Sequence, residues 1–558
     1  MSFKKSSISS SPSIKTYLNQ KDFSFKGAIN YLKKNKTLVF VSTFALLFIY
    51  GVRFSTLPYG VDTEFHLGGS RYINWLSIGR FGLVGLQKIV TGFLTGIELF
   101  SPFFSLFFAL TFLLFGTFLW CYLLDFFSDG KISKVAMTAF ALVLISHQVW
   151  VEQVYFVCQS AECLFIFFLS PLCVYFLIYG MQSANVKKVI FGALLSVFCI
   201  SVYQGVVVLI YCAIFAFFLL YYENTNLSKK EYKKLCLSLL FVMCGIVLVY
   251  FSLNLIVKKV LGVESSSYLF HVVKTDSLLT FFKDFIKYIY KLTLANFLPE
   301  NVVRFILSKF KIYDLEKINT LNFSLARLMS TVFLIPASII AFIRVLKNKR
   351  KNFFTFASFF SIFILIVVCG AISPLRSHYE LPFALAFIFL YATTFFKKNV
   401  YKVALVIFML LGVRNSLTSS MLNYSDVIRY EKDVRLSQDI ATRLYECGVD
   451  KNTPVLLYGM KGADVKENFI CGEVCAKSSF EWCTDESKLE STKRGLTFMK
   501  TQGYEFTPVS ESEITLIEKA RAYALNMSDF PYTHSVVNLG DVAVVRLSET
   551  TFIEESEK

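Results

Sequence analysis

Runs of about twenty apolar residues recur along this chain, and they limit what it can fold into more than any other feature. A helix rises about 1.5 Å per residue, so a run of about 20 can cross a hydrocarbon core about 30 Å thick. Such runs lie near 37–52, 101–125, 135–151, 164–182, 189–205, 206–222, 236–256, 327–346, 354–372, 381–396 and 399–415. Inside lipid each backbone N–H and C=O must find its partner within the segment, which predicts a helix for every run. Of 558 residues 55% are hydrophobic and 17% charged. A soluble chain carries about 25% charged residues, so an ordinary soluble enzyme and a disordered chain are both excluded. The expected fold is a polytopic α-helical membrane protein with about 11 transmembrane helices. The first run follows a Ser- and Lys-rich stretch without a small-residue cleavage site, so it reads as a retained helix and not a removable signal.

The net charge of +17 would fit a nucleic-acid binder until it is divided along the chain. Residues 421–558 hold 16 Lys+Arg against 23 Asp+Glu, a balance of −7 that leaves +24 for residues 1–420. The basic residues fall in alternate loops: eight Lys between Lys4 and Lys36, then Lys131 and Lys134, Lys187 and Lys188, Lys229 to Lys234, Lys347 to Lys351, and Lys397 to Lys402. The short loops between them, 152–163 and 373–380, contain one basic residue, Arg376. Short cytoplasmic loops accumulate Lys and Arg, so the N-terminus is expected inside and, after eleven crossings, the tail outside. No nucleic-acid partner is then needed to account for the charge.

This divides the chain into a cytoplasmic segment 1–36, a transmembrane part 37–420 with long external loops 53–100 and 257–326, and an extracytoplasmic part 421–558. In the second long loop Lys283, Lys287 and Lys291 recur at helical spacing among Phe281, Phe282, Phe285, Ile286 and Ile289, which predicts an amphipathic helix on the membrane surface. In the tail, residues 433–447 and 513–526 have helical patterning, PVLLYG at 454–459 reads as a buried strand, and SVVNLGDVAVVRL at 535–547 reads as a hairpin turning at Leu539-Gly540-Asp541. A small α/β domain is expected there. Its cysteines, Cys447, Cys471, Cys475 and Cys483, are disulfide candidates in an oxidising compartment, with three possible pairings.

No Asp, Glu, Lys or Arg lies near the middle of any expected span, which argues against an ion-coupled pump. The first external loop is richer. Asp62 and Glu64 stand two residues apart, and a carboxylate there can take the proton of an attacking hydroxyl while its neighbour raises its pKa. Arg71 and Arg80 follow, nine residues apart in one expected juxtamembrane helix, and a guanidinium fork suits a phosphate ester. The alternative is a helix cap at Asp62 with both arginines solvated among headgroups. Other candidates for an outward cavity are His66, Glu152, Gln153, Tyr203, Gln204, Arg376 and His378. No cofactor is called for, and nothing fixes a geometry for a divalent metal at His66 and His378 with the two acids.

Four motifs give the chain a resemblance to the bacterial type II glucosyltransferases that modify O-antigen, members of the membrane glycosyltransferases of GT-C fold. They are DTEFHLGGSRYINWLSIGRF from residue 62, SVYQG from 201, SPLRSHYE from 373 and FPYTHSVVNLGDVAVVRLS from 530. The family usually has adjacent acids, whereas Thr63 separates them here. The resemblance implies a bacterial inner-membrane enzyme acting on the non-cytoplasmic face. It further implies a polyprenyl-phosphate-linked sugar as donor, plausibly undecaprenyl-phosphate glucose, and a surface glycan or its lipid-linked precursor as acceptor. Asp62 or Glu64 would be the base, and Arg80 and Arg376, with Arg71 behind them, would hold the departing phosphate. A flippase for a lipid-linked sugar and a glycan polymerase or ligase are the alternatives.

Overall fold

The computed structural model describes residues 23–64, 71–90, 101–224, 228–266, 324–347, 353–370, 374–463, 469–481 and 489–548. Beside a single turn at Val52–Ser55, the helices described before the tail sheet are, in chain order, α1 (Phe25–Lys34), α2 (Lys36–Tyr50), α3 (Arg71–Ser77), α4 (Phe81–Gln87), α5 (Pro102–Phe127), α6 (Lys134–Ile145), α7 (Gln148–Tyr155), α8 (Ser160–Gln182), α9 (Val186–Val202), α10 (Val206–Asn224), α11 (Lys229–Leu261), α12 (Ser324–Lys347), α13 (Phe353–Gly370), α14 (Glu380–Thr393) and α15 (Lys398–Glu446). Each apolar run falls on one of them except 135–151, which α6 and α7 share across a break at Ser146-His147. Among the described residues five helical stretches are long and apolar enough to cross a membrane: Pro102–Ser128, Lys134–Tyr155, Ser160–Gln182, Lys229–Leu261 and Asn399–Glu446.

Local chemistry sets the helix ends. Ser101 caps α5, its Oγ accepting from Phe104 N–H, with Pro102 in the first turn where no N–H is needed. Ser228 and Glu231 form a reciprocal capping box on α11, which stops at Gly262 in the left-handed region. In the bundle α8 packs between α5 and α9, while α6 lies against α2, α14 and α15. The apolar window of Lys134–Tyr155 is 94% buried and that of Lys229–Leu261 only 22%, so α6 and α7 form the axis and α11 the rim. The rim helix directs Phe241, Leu248 and Leu255 outward, as a lipid-facing surface requires.

The tail carries a four-stranded sheet, β1 (Pro454–Tyr458), β2 (Thr507–Pro508), β3 (Val536–Asn538) and β4 (Ala543–Arg546), with helices α16 (Glu490–Thr501) and α17 (Ile514–Ala524). The strand order is β2-β1-β4-β3, with β1 parallel to both neighbours and β3 antiparallel to β4. Successive side chains of β1 enter opposite layers: Leu457 packs with Phe480, Leu496 and Phe498, and Leu456 with Val509 and Ala520. Covering both faces explains why β1 reads as an unbroken apolar run. The expected strand, hairpin and second tail helix are all present.

Three expectations need correction or lie elsewhere. No break in the backbone marks the division at 420/421: α15 runs unbroken for 49 residues, about 70 Å, from the last apolar run into the tail. Arg71 and Arg80 do not share a helix, because α3 ends at Ser77 and the chain turns at Gly79, φ +85°, before α4. A Cβ at Gly79 would press on Tyr250 Oη, whose hydroxyl donates to the Gly79 carbonyl at 3.1 Å. The amphipathic segment 281–291 lies outside the described residues.

Candidate active site

The acid pair is set on the bundle by one tyrosine. Tyr155, at the end of α7, accepts from Val61 N–H through its hydroxyl at 2.8 Å, and its ring lies where a Cβ on Gly60 would have to go. The chain then turns through Asp62, whose φ of +74° is a region that Asp enters more readily than most residues. Thr63 N–H closes the turn on the Gly60 carbonyl at 3.0 Å. Both acids reach the same group, the guanidinium of Arg494 on α16. Its Nη2 donates to Asp62 Oδ1 at 3.0 Å, Nη1 to Glu64 Oε1 at 2.9 Å and Nε to Glu490 Oε1 at 3.0 Å.

The two acids differ in their surroundings. Asp62 has a side chain 39% exposed, and Glu64 is buried with its second oxygen, Oε2, lacking a hydrogen-bond partner among the described residues. Burial pushes the Glu64 carboxyl up to about 7, with Arg494 pulling it down and the Asp62 charge adding to the rise.

A basic group lies on the other side of the loop 156–159. Arg80 stacks on the Tyr203 ring, 4.5 Å from its centroid, and its Nη1 donates to Gln159 Oε1 at 2.8 Å. Its Nε is buried with no hydrogen-bond partner among the described residues. Tyr203 Oη meets Ser377 Oγ at 3.1 Å, and next to Ser377 the Arg376 guanidinium covers the Phe156 ring at 4.5 Å. Residues Tyr155, Phe156 and Gln159 therefore touch the acid loop, Arg376 and Arg80 in turn.

The other expected residues have different surroundings. Gln204 donates through Nε2 to the Ile78 carbonyl at 2.8 Å and to Tyr250 Oη at 3.0 Å, tying the α3–α4 turn to α10 and α11. Both oxygens of Glu152 accept from the tail: Oε1 from Glu473 N–H at 2.6 Å, Oε2 from Val474 and Cys475 N–H at 3.2 and 3.3 Å. Gly472 makes room, since a Cβ there would collide with that carboxylate. Glu152, fully buried, thus holds the tail. Gln153 is fully buried in α7, and His378 turns its Nδ1 to Glu380 Oε1 at 2.8 Å inside the bundle. The expected disulfides do not link Cys447, Cys471 and Cys475, which are free thiols: Cys447 is exposed and Cys475 is packed beneath Arg53. Cys483 and His66 lie outside the described residues, as does the side chain of Arg71. Among the described residues no group of three His, Cys, Asp or Glu side chains could hold a metal ion.

Arg494 and Gln159 complete the site without having been expected. Arg494 is 430 positions from Glu64, and its Glu490 partner at i−4 gives it the pattern of an ordinary surface pair.

The sequence pattern described as glucosyl transferase GtrII matches residues 59–393, well over half of the chain, from the acid loop through α14. The chain belongs to this family. No curated protein and no solved structure matches it. As a family member it is a glycosyltransferase of glucosyl type, and its long apolar helices fit a membrane protein.

Proposed function

We propose that this glucosyltransferase moves glucose from a polyprenyl-phosphate donor to a hydroxyl of a bacterial surface glycan, on the non-cytoplasmic side of the inner membrane. The alternation of basic loops supports eleven crossings with the N-terminus inside and the tail outside. The acceptor hydroxyl gives its proton to Asp62, the carboxylate that solvent reaches, as its oxygen attacks the anomeric carbon. The bond from that carbon to the phosphate oxygen breaks, and the lipid phosphate leaves with the electron pair. Arg80 and Arg376 meet the negative charge that develops on it. The observation that carries this reading is the Arg80 Nε, a buried donor with no hydrogen-bond partner among the described residues, on the guanidinium that stacks on Tyr203. A buried unsatisfied donor calls for an absent acceptor, and a phosphate oxygen supplies one.

The test uses membranes containing the full chain, radiolabelled polyprenyl-phosphate glucose and the isolated glycan. Asp62→Asn keeps a residue tolerant of positive φ and removes the base, so transfer should drop by about 100-fold or more with insertion unchanged. Wild-type transfer in Asp62→Asn removes the base. Transfer from a nucleotide sugar and not from the lipid donor removes the proposed phosphate site.

A further inference from the structure

Arg494 lies in the tail, beyond the residues shared with the family pattern, yet it is the group on which both loop acids converge. We propose that Arg494 is a positioning residue of the transfer site: its guanidinium fork fixes Asp62 against Glu64 so that the outer oxygen of Asp62 faces the acceptor hydroxyl. The proposal rests on the reading that Asp62 is the base.

Geometry distinguishes this from a plain tether. The fork gives one donor to each of three carboxylates, Nη2 to Asp62, Nη1 to Glu64 and Nε to Glu490, and only a planar guanidinium presents donors in those fixed directions. Tethering is already provided elsewhere. The tail loop 473–475 binds Glu152, and Ser478 and Ser479 bind Asp433 on α15. One fixed carboxylate oxygen also leaves Asp62 its second, on a side chain still 39% exposed. Two close carboxylates would otherwise repel and swing apart, and a misplacement of about 1 Å at a reacting group costs about 100-fold in rate.

The groups facing Glu64 are Arg494 and Asp62, and Glu490 shares the same guanidinium. Removing the guanidinium removes a charge that favours ionised carboxylates there. The experiment compares Arg494→Gln, Arg494→Lys and Asp62→Asn in full-length protein in membranes. Lys493→Ala, one residue away and paired with Glu511 on the outer surface, is the control. Arg494→Gln should lower kcat about 100-fold with the donor KM unchanged, and the acidic limb of its pH profile should move to higher pH. Arg494→Lys keeps the charge, so its limb should stay in place while kcat is partly lost. It also serves if the Gln variant fails to assemble. Wild-type kcat and profile in Arg494→Gln overturn the proposal while leaving Asp62 as base. So does an equal loss in both variants that follows thermal stability with no movement of the limb. Full activity in Asp62→Asn overturns the reading beneath it, whatever Arg494 does.

Discussion

Two ion clusters join the tail to the rest of the molecule, and they are built to different standards. In one, Asp426 accepts from Arg53 at 2.9 Å, from Arg429 at 2.6 Å and from Ala476 N–H, while Asp433 accepts from Arg429, Ser478 Oγ and Ser479 N–H. Two arginines face two aspartates, all buried, and the spare Arg429 donor goes to the Tyr59 carbonyl. In the other, among the described residues, one arginine faces three carboxylates, one carboxylate oxygen of Glu64 is buried without a hydrogen-bond partner, and Asp62 reaches solvent. A balanced cluster with every group bonded can only hold the chain in place. A cluster in which one guanidinium is shared among three carboxylates, one of them reaching solvent, can still accept a proton. The two duties of the interface, docking and chemistry, are thus divided between neighbouring sets of the same residue types.

The largest expected effect breaks the docking side of this contrast. Arg429→Met leaves Asp426 and Asp433 buried without their shared cation, which costs about 3–5 kcal/mol, read as a lower Tm in detergent. Unchanged stability there would reverse the assignment of roles. Next, Glu152→Gln removes charge from the three tail N–H groups it accepts from, a loss of about 1.5–3 kcal/mol. Faster proteolytic cleavage within residues 469–481 would report it.

A pH series addresses the chemical side. The Glu64 carboxyl titrates near 7 in the fold against 4.5 for a free side chain. Between those values the native state holds a proton that the unfolded chain has released. Stability from this group is therefore complete below about pH 4.5 and is lost as pH rises through about 7, on the order of 1–3 kcal/mol. The difference in Tm between wild type and Glu64→Gln should follow that course, with the variant relatively more stable at pH 8; a constant difference from pH 4 to 8 would reject it. The smallest effect concerns thiols. Cys447 should react with maleimide in the folded protein and Cys475 should not, until Arg429→Met loosens the cluster above it.

The apolar runs announced their helices because burial in lipid leaves a composition signature that needs no partner to read. The D-x-E pair was equally visible, and its local setting made proton transfer a reasonable expectation. Arg494 was not visible, because an i,i+4 Glu490–Arg494 pair looks the same on a solvent-facing helix as at a buried junction. That α15 continues past 420 was hidden for a related reason. From Arg414 the sequence turns polar (RNSLTSSMLNYSD), which marks where the surroundings change, while the backbone keeps its helical hydrogen bonds. Composition there reports environment and not conformation. Glu152 read as a candidate for the outward cavity, and its docking contacts were not legible because they are backbone N–H groups, which any sequence would supply.

The unbroken α15 makes the tail's placement a question of phase. A flexible linker absorbs an extra residue at little cost, since loop closure depends only weakly on length. In a helix, one inserted residue turns everything beyond it by about 100° and lifts it by about 1.5 Å. An insertion between Asn415 and Ser425 would therefore swing Asp426, Arg429 and the whole sheet about the axis, carrying Arg494 off the acids with every intervening contact chemically intact. The tail is indexed to the bundle in the way a key is cut to its shaft, and chain length within α15 is as much a part of the site as any side chain in it.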